Sequence, residues 1–313
     1  MQEISVLVPS YNHAPFVERT LRSIFAQTLL PKKLLVIDDG SKDNSVEIIA
    51  QVLKDCPFEN EFIARENRGL CATLNEGFEK SNGEFFAYLG SDDLWLPEFL
   101  EKQIALLNER NKAVLAFGHS FWIDENEQIL ARTDDFTEYA EGDVLPMLLQ
   151  GEIFSSPSVV YRRKSLEKHG WNENARLEDY ELYLKLAADG EFALNKETLC
   201  AWRLHGTNTS GDTPLMLEEM LQAQIRLADE LKISREELAK IQTNVKFNAV
   251  ANLIRHGNRR EAAWHFLQNL KGAKSPAQIA KIFFRLSIPN TIFQWNRARK
   301  RREAIEKYGK LEI

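Results

Sequence analysis

Two kinds of apolar run alternate along the first hundred residues of the chain. Continuous runs such as ISVLV (residues 4–8), LLVI (residues 34–37) and FFAYL (residues 85–89) predict strands buried on both faces. Between them, PFVERTLRSIFAQ (residues 15–27), SVEIIAQVLKD (residues 45–55) and GLCATLNEGFEKS (residues 69–81) have helical spacing. This alternation is typical of right-handed βαβ units, so it predicts an α/β fold with a mainly parallel, Rossmann-like sheet flanked by helices.

The pattern changes twice further along. Residues 113–213 mix shorter strand-like runs (AVLAFGHSFWI, SPSVVYR, FALN and ETLCAWRLH) with the helical segment EDYELYLKLAADG, which predicts that some antiparallel pairing completes the sheet. After Pro214 only helical periodicity remains. We therefore expect a catalytic domain over residues 1–213 and an all-helical extension over residues 214–313.

Acidic pairs follow two of the predicted strands. Asp38 and Asp39 end the second strand, and Asp92 and Asp93 follow FFAYLGS. The carboxyl ends of parallel strands form the usual ligand-binding edge of an open α/β sheet. A divalent cation carrying a diphosphate would supply the counter-charge that these carboxylates need. The alternative is that these acids cap helices. Asp38 and Asp39 would then cap the helix that follows them, and Asp93 would cap a helix at 94–97.

Charge is distributed unevenly. The chain has a net charge of −6, but residues 214–313 hold 19 Lys and Arg against 10 Asp and Glu, which leaves −15 for residues 1–213. Much of the excess lies in RARKRR (residues 297–302). It is either a solvated helix face or a contact with an anionic membrane surface. Nucleic acid is not expected as a partner, because the acidic body would repel phosphates.

Segments that direct a chain to a membrane or an oxidising compartment are not predicted. The N-terminal run is short and is broken at Pro9, so it indicates a core strand rather than a signal peptide. Three cysteines without metal-ligand spacing fit a reducing compartment. We expect a cytoplasmic protein. If the basic C-terminal region contacts anionic lipid, the protein would also be attached peripherally to the inner face of the cell membrane.

Six segments together resemble the family 2 glycosyltransferases with the GT-A fold. They occur in the family's order over roughly residues 3–212: VPSYN, VIDDGSKDNS, ENRGLCATLNEG, LGSDDLW, EDYELYLKLA and WRLHGTNTS. The resemblance implies transfer of a sugar from a nucleotide-diphosphate donor with inversion at the anomeric carbon. It also implies bacterial surface polysaccharide or lipopolysaccharide assembly as the setting.

Donor contacts are expected where successive predicted strands end at one edge of the sheet. The carboxylate of Asp39 can accept hydrogen bonds from a base or a ribose, and Tyr11 offers a ring edge to a base. The resemblance implies further nucleotide contacts from Pro9, Asn12, Asn67, Arg68, Ser91 and Asp92. Asn75 and Gly77 fit either this role or simple packing.

The metal and the base are assigned by the motif order. Asp92 stands at the last acid of the family's Asp-x-Asp motif, so it is the expected ligand of Mg²⁺ or Mn²⁺, with His205 as a second ligand or a phosphate contact. The motif's first acid is replaced by Gly90, which puts its ribose contact in doubt. Asp93 is expected near the acceptor or behind the metal ligand.

Glu178 and Asp179 open a strongly periodic helix. The resemblance implies that Asp179 is the general base that takes the proton of the acceptor hydroxyl, with Glu178 beside it. The alternative is that both acids only stabilise a helix N-terminus.

Other segments leave alternatives open. Residues 207–213 are a candidate lid over the donor. Arg203 is a candidate partner of the leaving group. A candidate acceptor surface is formed by Ser155–Ser158 with Arg162 and Arg163. The amphipathic tail around Phe283, Phe284, Ile288, Ile292, Phe293 and Trp295 either packs on the catalytic domain or inserts at a membrane interface beside a lipid-linked acceptor.

The sequence therefore predicts a metal-dependent inverting glycosyltransferase. Its donor would be a nucleotide-diphosphate sugar, with a UDP-sugar favoured, and its acceptor a saccharide or lipid-linked saccharide. The alternatives are a nucleotidyltransferase, which VPSYNHAP disfavours because it is not a basic, Gly-rich loop, and a non-catalytic module that binds a nucleotide sugar or a partner.

Overall fold

The structure is a computed structural model that describes residues 3–206, 208 and 211–312. Its strands form one mixed sheet in the order β3-β2-β1-β4-β8-β6-β9-β5, with β7 paired to β6. The strands are β1 (Ile4–Ser10), β2 (Lys33–Asp38), β3 (Glu59–Ala64), β4 (Phe85–Tyr88), β5 (Leu94–Trp95), β6 (Ala113–Ile123), β7 (Ile129–Arg132), β8 (Val160–Arg162) and β9 (Glu191–Arg203).

Strand direction agrees with the sequence pattern. β3, β2, β1 and β4 pair in parallel, and so do β6 and β9. β8 runs antiparallel to β4 and β6, and β5 runs antiparallel to β9. The predicted mainly parallel sheet with antiparallel additions is therefore confirmed.

Helices cover both faces of the sheet. The helices of the first 190 residues are α1 (Val17–Phe25), α2 (Ser45–Val52), α3 (Leu70–Lys80), α4 (Phe99–Glu109), α5 (Leu145–Leu149), α6 (Arg163–Leu166) and α7 (Glu178–Asp189). Along β1, Val6 and Val8 point into one core cluster with residues of α1 and α4, while Leu7 points into another with residues of α3 and α7. Apolar side chains on both faces explain the unbroken apolar runs in the sequence.

The C-terminal region is helical, as predicted. Its helices are α8 (Thr213–Leu227), α9 (Arg235–Arg255), α10 (Arg259–Gln268), α11 (Pro276–Ser287) and α12 (Asn290–Tyr308). One face of α8 joins the core under the sheet, and its other face joins a separate cluster with α9 and α10. None of the helices in the described part of the chain has the length and apolar character needed to cross a bilayer.

Two local predictions are wrong. Residues 94 and 95 form strand β5 rather than the start of a helix, because Leu94 and Trp95 pair with the end of β9. Asp93 therefore does not cap a helix there. FALN and ETLCAWRLH belong to one strand, β9, whose pairing with β6 shifts register near Gly118 and His119, so the polar residues between the two runs occupy a bulge.

Candidate active site

A cavity of about 800 Å³ opens at the carboxyl ends of β1, β2 and β4. Segments far apart in the sequence meet in it, because β1, β2 and β4 are adjacent in the sheet and α7 begins at the same edge. The predicted site residues that line the cavity are Pro9, Tyr11, Asn12, Asp39, Asn67, Ser91, Asp92, Asp93, Glu178, Asp179 and His205.

Asp39 is held in position on one side of this cavity. Its Oδ1 accepts hydrogen bonds from the Arg65 guanidinium and from the backbone N–H of Arg68, and its Oδ2 accepts one from the backbone N–H of Gly69 (2.8 Å). Asp39 is 5% exposed. An oriented, buried acceptor that lines the cavity suits a ribose or base contact.

The neighbouring acid has a different position. Asp38 is fully buried, and its carboxylate accepts hydrogen bonds from Ser10 and from the backbone and side chain of Ser41. These bonds tie the loop after β2 to the end of β1. Asp38 therefore stabilises the turn after β2. It is not the residue that caps α2, because that helix begins after Asn44.

Asn12 shapes a turn through its backbone conformation and its side-chain oxygen, and Arg68 contributes through its backbone N–H. Asn12 has a positive φ of 55° and accepts a hydrogen bond from the backbone N–H of Lys42 through Oδ1. Arg68 is not among the described residues that line the cavity; its half-exposed side chain pairs with Glu76. Arg68 contributes to the site through its backbone N–H, which donates to Asp39 Oδ1, and not through its guanidinium.

Asn75 and Gly77 pack rather than face the cavity. The side-chain amide of Asn75 bonds both the carbonyl (2.9 Å) and the N–H (2.8 Å) of Trp171. A Cβ on Gly77 would lie 2.4 Å from a methyl carbon of Leu7, so α3 approaches β1 only with glycine there.

Asp92 and two histidines form a compact group, here called the histidine–aspartate cluster (His13, Asp92 and His205). His205 Nε2 lies 2.9 Å from Asp92 Oδ2, and His13 Nδ1 lies 3.7 Å from Asp92 Oδ1. One candidate ligand atom from each residue lies within 4.8 Å of the others. Burial raises the pKa of Asp92, but the hydrogen bond with His205 and the nearby His13 outweigh it, so the carboxyl has a pKa below its usual value.

Arg203 braces the loop that carries Asp92. Its side chain is 1% exposed, and it donates to the backbone carbonyls of Asp92 (2.7 Å) and Asp124 (3.1 Å) while lying over the Phe16 ring. Its backbone N–H donates to Asp93 Oδ1 (2.8 Å). Because the guanidinium is engaged with protein carbonyls and is not among the described cavity-lining residues, Arg203 is better placed to support the site than to meet a leaving group.

Gly90 leaves room for the acids that follow it. A Cβ at this position would lie 2.9 Å from Asp92 Oδ1 and 3.2 Å from Asp93 Oδ2. The position of the missing motif acid is thus taken up by the carboxylates of Asp92 and Asp93. Burial and the charge of Asp92 raise the pKa of Asp93 well above its usual value.

Glu178 and Asp179 begin α7 on the other side of the cavity. Burial, followed by the charge of Glu178, raises the pKa of Asp179 well above the usual value, and Asp179 Oδ1 has no hydrogen-bond partner among the described residues. Tyr88 donates a long hydrogen bond to Glu178 Oε1 (3.4 Å). A buried carboxyl with a raised pKa and an unpaired oxygen is suited to take a proton.

Four aromatic side chains also line the cavity and are here called the aromatic wall. Trp122, Phe136, Tyr139 and Trp202 line it, and the Trp122 and Trp202 rings meet edge to face at 5.7 Å. Of the predicted acceptor surface, Ser155 and Ser156 line the cavity. Arg162 and Arg163 donate instead to backbone carbonyls beneath the sheet, those of Ala113 and Phe78.

Sequence reasoning missed His13 and the aromatic wall. His13 follows VPSYN by one residue, and position alone is a weak signal for a ligand. Burial lowers its pKa, which keeps the imidazole neutral over a wider pH range. Of the predicted lid, Thr207, Thr209 and Ser210 lie outside the described residues; Asn208 accepts a hydrogen bond from the His205 backbone N–H.

Comparison with known proteins decides the family. The pattern described as Glycosyl transferase family 2 matches residues 5–170. The chain belongs to this family. The sequence-based assignment to the family 2 glycosyltransferases is thereby confirmed, and the cavity is the candidate active site of a family 2 glycosyltransferase.

Individual relatives agree with this assignment. A glycosyltransferase of Haemophilus influenzae is 32% identical over 59% of this chain and 71% of its own length. One from Nostoc is 29% identical over 66% of both chains, so this family 2 chain aligns with about two thirds of that relative. A putative teichuronic acid biosynthesis glycosyltransferase, TuaG of Bacillus subtilis, is 26% identical over 67% of this chain and 82% of its own length.

Solved structures support the GT-A fold. The mannosyltransferase PcManGT from Pyrobaculum calidifontis, in complex with GDP-Man and Mn²⁺, superimposes with a TM-score of 0.63 at 17% identity, covering 97% of this chain and 86% of that one. S. aureus TarS 1-349 in complex with UDP-GlcNAc has a TM-score of 0.59 at 16% identity and 83% coverage of each chain. The predicted fold is thus confirmed.

Proposed function

We propose that this family 2 chain transfers a sugar from a nucleotide-diphosphate donor to an acceptor hydroxyl, with inversion and with a divalent cation, Mg²⁺ or Mn²⁺. One observation carries the proposal. A single cavity holds an oriented carboxylate for the nucleoside (Asp39), a histidine–aspartate cluster and a buried acid with a raised pKa (Asp179). These are the three groups that such a transfer needs.

Donor binding is assigned to the β1 and β2 end of the cavity. Asp39 is fixed by Arg65 and by two backbone N–H groups, so it can accept from a base or ribose without reorganising. The same cavity is lined by Pro9, Tyr11, Asn12 and Asn67. Ser91, which also lines it, precedes Asp92 of the histidine–aspartate cluster. Glu178 lines the same cavity, and its charge helps to raise the pKa of Asp179.

The residues present fit a divalent cation. Asp92 offers a carboxylate with a lowered pKa, and the His205 Nε2 lies beside it at 2.9 Å. A cation bound there would stabilise the negative charge of the departing nucleoside diphosphate. Arg203 fixes the backbone of Asp92 and so keeps the carboxylate aimed at the same point.

Asp179 is assigned as the general base. Direct displacement with inversion needs a carboxylate that takes the acceptor proton on the face opposite the leaving group. Burial without a partner for Oδ1 makes protonation of this carboxyl favourable. Asp93 also lines the cavity, but its Oδ1 accepts a hydrogen bond from the Arg203 backbone N–H, so we assign it a supporting role in the loop that carries Asp92.

The donor and the acceptor are proposed from the relatives. Structures of TarS are in complex with UDP-GlcNAc and UDP, and one of PcManGT is in complex with GDP-Man, which supports a nucleotide-diphosphate sugar; we favour a UDP-sugar. The name of TuaG supports a saccharide or lipid-linked saccharide of a surface polysaccharide as the acceptor. The aromatic wall of Trp122 and Trp202 offers rings on which a sugar could stack.

A membrane surface is proposed as the place of the acceptor. On α11 and α12 the large apolar side chains of Phe283, Phe284 and Trp295 are each more than half exposed. The basic run at 297–302 follows them in the sequence, and Arg299 lies over the Trp295 ring at 5.3 Å, so a positive group adjoins an exposed apolar one, as at an interface with anionic lipid. Arg301 of the same run pairs instead with Asp124 of the catalytic domain. The end of the chain packs on the catalytic domain through Tyr308 and Leu311, so the packing alternative also holds for that end.

Thermal stability in the presence of nucleotide sugars tests the proposal. UDP-, GDP- and dTDP-sugars are added with and without Mn²⁺, and one of them is expected to raise the melting temperature only with the metal. Asp92→Asn should abolish that rise, while Asp229→Asn, on the exposed surface of the helical region, should keep it. No rise with any nucleotide sugar in the wild type would favour the non-catalytic alternative.

A further inference from the structure

His13 lies in the turn between β1 and α1, and its backbone is fixed there. Its N–H donates to Ser45 Oγ (3.0 Å), and its carbonyl accepts from the N–H groups of Phe16 and Val17 (both 2.9 Å). The position of the imidazole is thus set by the first turn of α1 and by the loop before α2. A side chain on such a support can be held ready for a ligand.

The imidazole points toward Asp92 and His205. Its Nδ1 lies 2.8 Å from Ser91 Oγ and 3.7 Å from Asp92 Oδ1. Its ring meets that of His205 edge to face, with centroids 5.4 Å apart, and Phe16 stacks on the other side of His205 at 5.0 Å. The three side chains come from β1, β4 and β9 ends that only the folded sheet brings together.

The spacing of the three residues is close to that of ligands on one cation. In octahedral coordination with bonds of about 2.1 Å, adjacent ligand atoms are about 3 Å apart and opposite ones about 4 Å. His205 Nε2 lies 2.9 Å from Asp92 Oδ2, and His13 Nδ1 lies 3.7 Å from the other oxygen, Oδ1. When each residue offers one ligand atom, the three atoms lie within 4.8 Å of one another, a limit slightly wider than the octahedral spacing. A small inward movement of the side chains would let all three bind one cation.

The donor types indicate which cation. Carboxylate and water ligands alone suit Mg²⁺, whereas imidazole nitrogens suit first-row transition metals. Two imidazoles and one carboxylate on one face form a set that leaves other positions open for phosphate oxygens and water. Such a set prefers Mn²⁺ or a similar transition metal over Mg²⁺.

We infer that His13 is a third protein ligand of the cation, and that the histidine–aspartate cluster binds a transition metal before the nucleotide sugar arrives. This inference rests on the metal-dependent transfer proposed above and adds a ligand and a metal preference to it. The competing role for His13 is structural, as a hydrogen-bond partner of Ser91 only.

Binding of Mn²⁺ to the full chain without nucleotide tests the inference. Free Mn²⁺ is measured by its electron paramagnetic resonance signal, and bound imidazoles are counted by the ¹⁴N modulation of the bound ion. The wild type should bind Mn²⁺ more tightly than Mg²⁺ and show two coordinated imidazoles. His13→Gln should weaken Mn²⁺ binding by about tenfold or more and leave one imidazole, with a smaller effect on Mg²⁺.

His256→Gln is the matched control, because His256 is exposed at the end of α9 and bonds only within its own helix among the described contacts. It should match the wild type in both measurements. An affinity for Mn²⁺ in His13→Gln within about twofold of the wild type would overturn the inference. Two results on the wild type would also overturn it: a single coordinated imidazole, or no binding of Mn²⁺ in the absence of nucleotide. These two results do not depend on the folding of any variant.

The outcome separates this inference from the proposed function. Stabilisation by a nucleotide sugar with Mn²⁺, together with only one coordinated imidazole, would remove His13 as a ligand and leave the glycosyl transfer intact. Two coordinated imidazoles without binding of any nucleotide sugar would instead keep the metal site and remove the transferase proposal.

Discussion

Asp179 combines burial, an unpaired oxygen and an acidic neighbour. Its residue is 6% exposed, and its pKa is raised by burial and by Glu178. In the unfolded chain the same carboxyl ionises near its ordinary value. Between the two pKa values the folded state holds the proton more tightly, so stability falls as pH rises through this range.

Asp179→Asn should therefore stabilise the protein while it removes the base. The amide keeps the shape of the side chain but not its charge, so the gain should grow with pH above the ordinary carboxyl pKa. We expect a gain on the order of 1–3 kcal/mol at pH 8 and little at pH 4. Thermal or urea unfolding of both proteins across this range measures it.

The control is Asp189→Asn, at the other end of α7. Asp189 pairs with Lys168 and His169, which lower its pKa despite its partial burial, so its loss should destabilise the protein at neutral pH rather than stabilise it. Asp179→Asn with a stability equal to or below that of the wild type at pH 8 would contradict the account of a buried carboxyl with a raised pKa.

Position on a strand or in a motif was enough to predict several residues that lie at one cavity, and their roles there stay predictions. Asp39, Asp92, Asp179 and His205 were predicted from strand ends and motif order, and all four line one cavity. His13 was missed because a turn residue shows no periodicity, and its neighbours in space are distant in sequence. Arg68 was predicted by motif, but its side chain turns away to Glu76, which no local pattern reveals.

At the scale of elements, the end of β9 supports the loop after β4. Arg203, the last residue of β9, donates to carbonyls of Asp92, Asp124 and Glu125 through a planar guanidinium. A lysine carries the same charge but cannot span these acceptors with one ammonium group. The connection between β9 and the loop that carries Asp92 therefore depends on arginine.

Arg203→Lys should destabilise the protein by about 1–3 kcal/mol, because at least one buried carbonyl loses its donor. It should also weaken the metal-dependent stabilisation by the nucleotide sugar, because Asp92 is no longer held. Unfolding curves with and without nucleotide sugar and Mn²⁺ measure both effects.

Arg162→Lys provides the comparison for this variant. Arg162 also donates to buried backbone carbonyls, those of Ala113 and Leu107, but it is not among the described residues that line the cavity. It should lose stability while keeping the metal-dependent stabilisation. If Arg203→Lys also keeps the metal-dependent stabilisation, the hydrogen bonds of Arg203 to the Asp92 loop do not contribute to donor binding.

Elements with strong periodicity were predicted closely, and short irregular ones were not. The helical segment EDYELYLKLAADG forms α7, and AVLAFGHSFWI forms β6 over its full length. The two-residue strand β5 was mistaken for a helix start, because Leu-Trp-Leu-Pro after two acids matches a capped helix locally. Its pairing with β9 is a long-range contact that local propensity does not contain.

On the scale of the whole molecule, α8 connects the sheet to the helical region. Met220, Ala223 and Leu227 join the core beneath the sheet, while Leu217 and Leu221 join the cluster with α9. The predicted boundary at residue 213 stays a prediction. The packing of α8 indicates that a chain cut there would expose part of the catalytic core.

The exposed aromatics of α11 should determine membrane association. The full chain should sediment with anionic vesicles and less with zwitterionic ones, and high salt should reduce the binding because basic residues contribute about 1 kcal/mol each near the surface. Phe283→Ser with Phe284→Ser should reduce binding strongly. Leu30→Ser, an exposed apolar site on the catalytic domain, should not.

Equal binding to both kinds of vesicle would contradict the charge argument. Binding that survives the double serine variant would contradict the role of the aromatics. The expected transfer chemistry in solution does not depend on this surface, because Phe283 and Phe284 are not among the described residues of the cavity.

The central claim is that one cavity binds the donor through Asp92 and activates the attacking hydroxyl through Asp179. Slow hydrolysis of the stabilising nucleotide sugar, with water in place of the acceptor, tests it most directly in the wild type, Asp92→Asn and Asp179→Asn with Mn²⁺. The account predicts that Asp179→Asn keeps the metal-dependent stabilisation but loses hydrolysis, and that Asp92→Asn loses both. Hydrolysis by Asp179→Asn at the wild-type rate would contradict it.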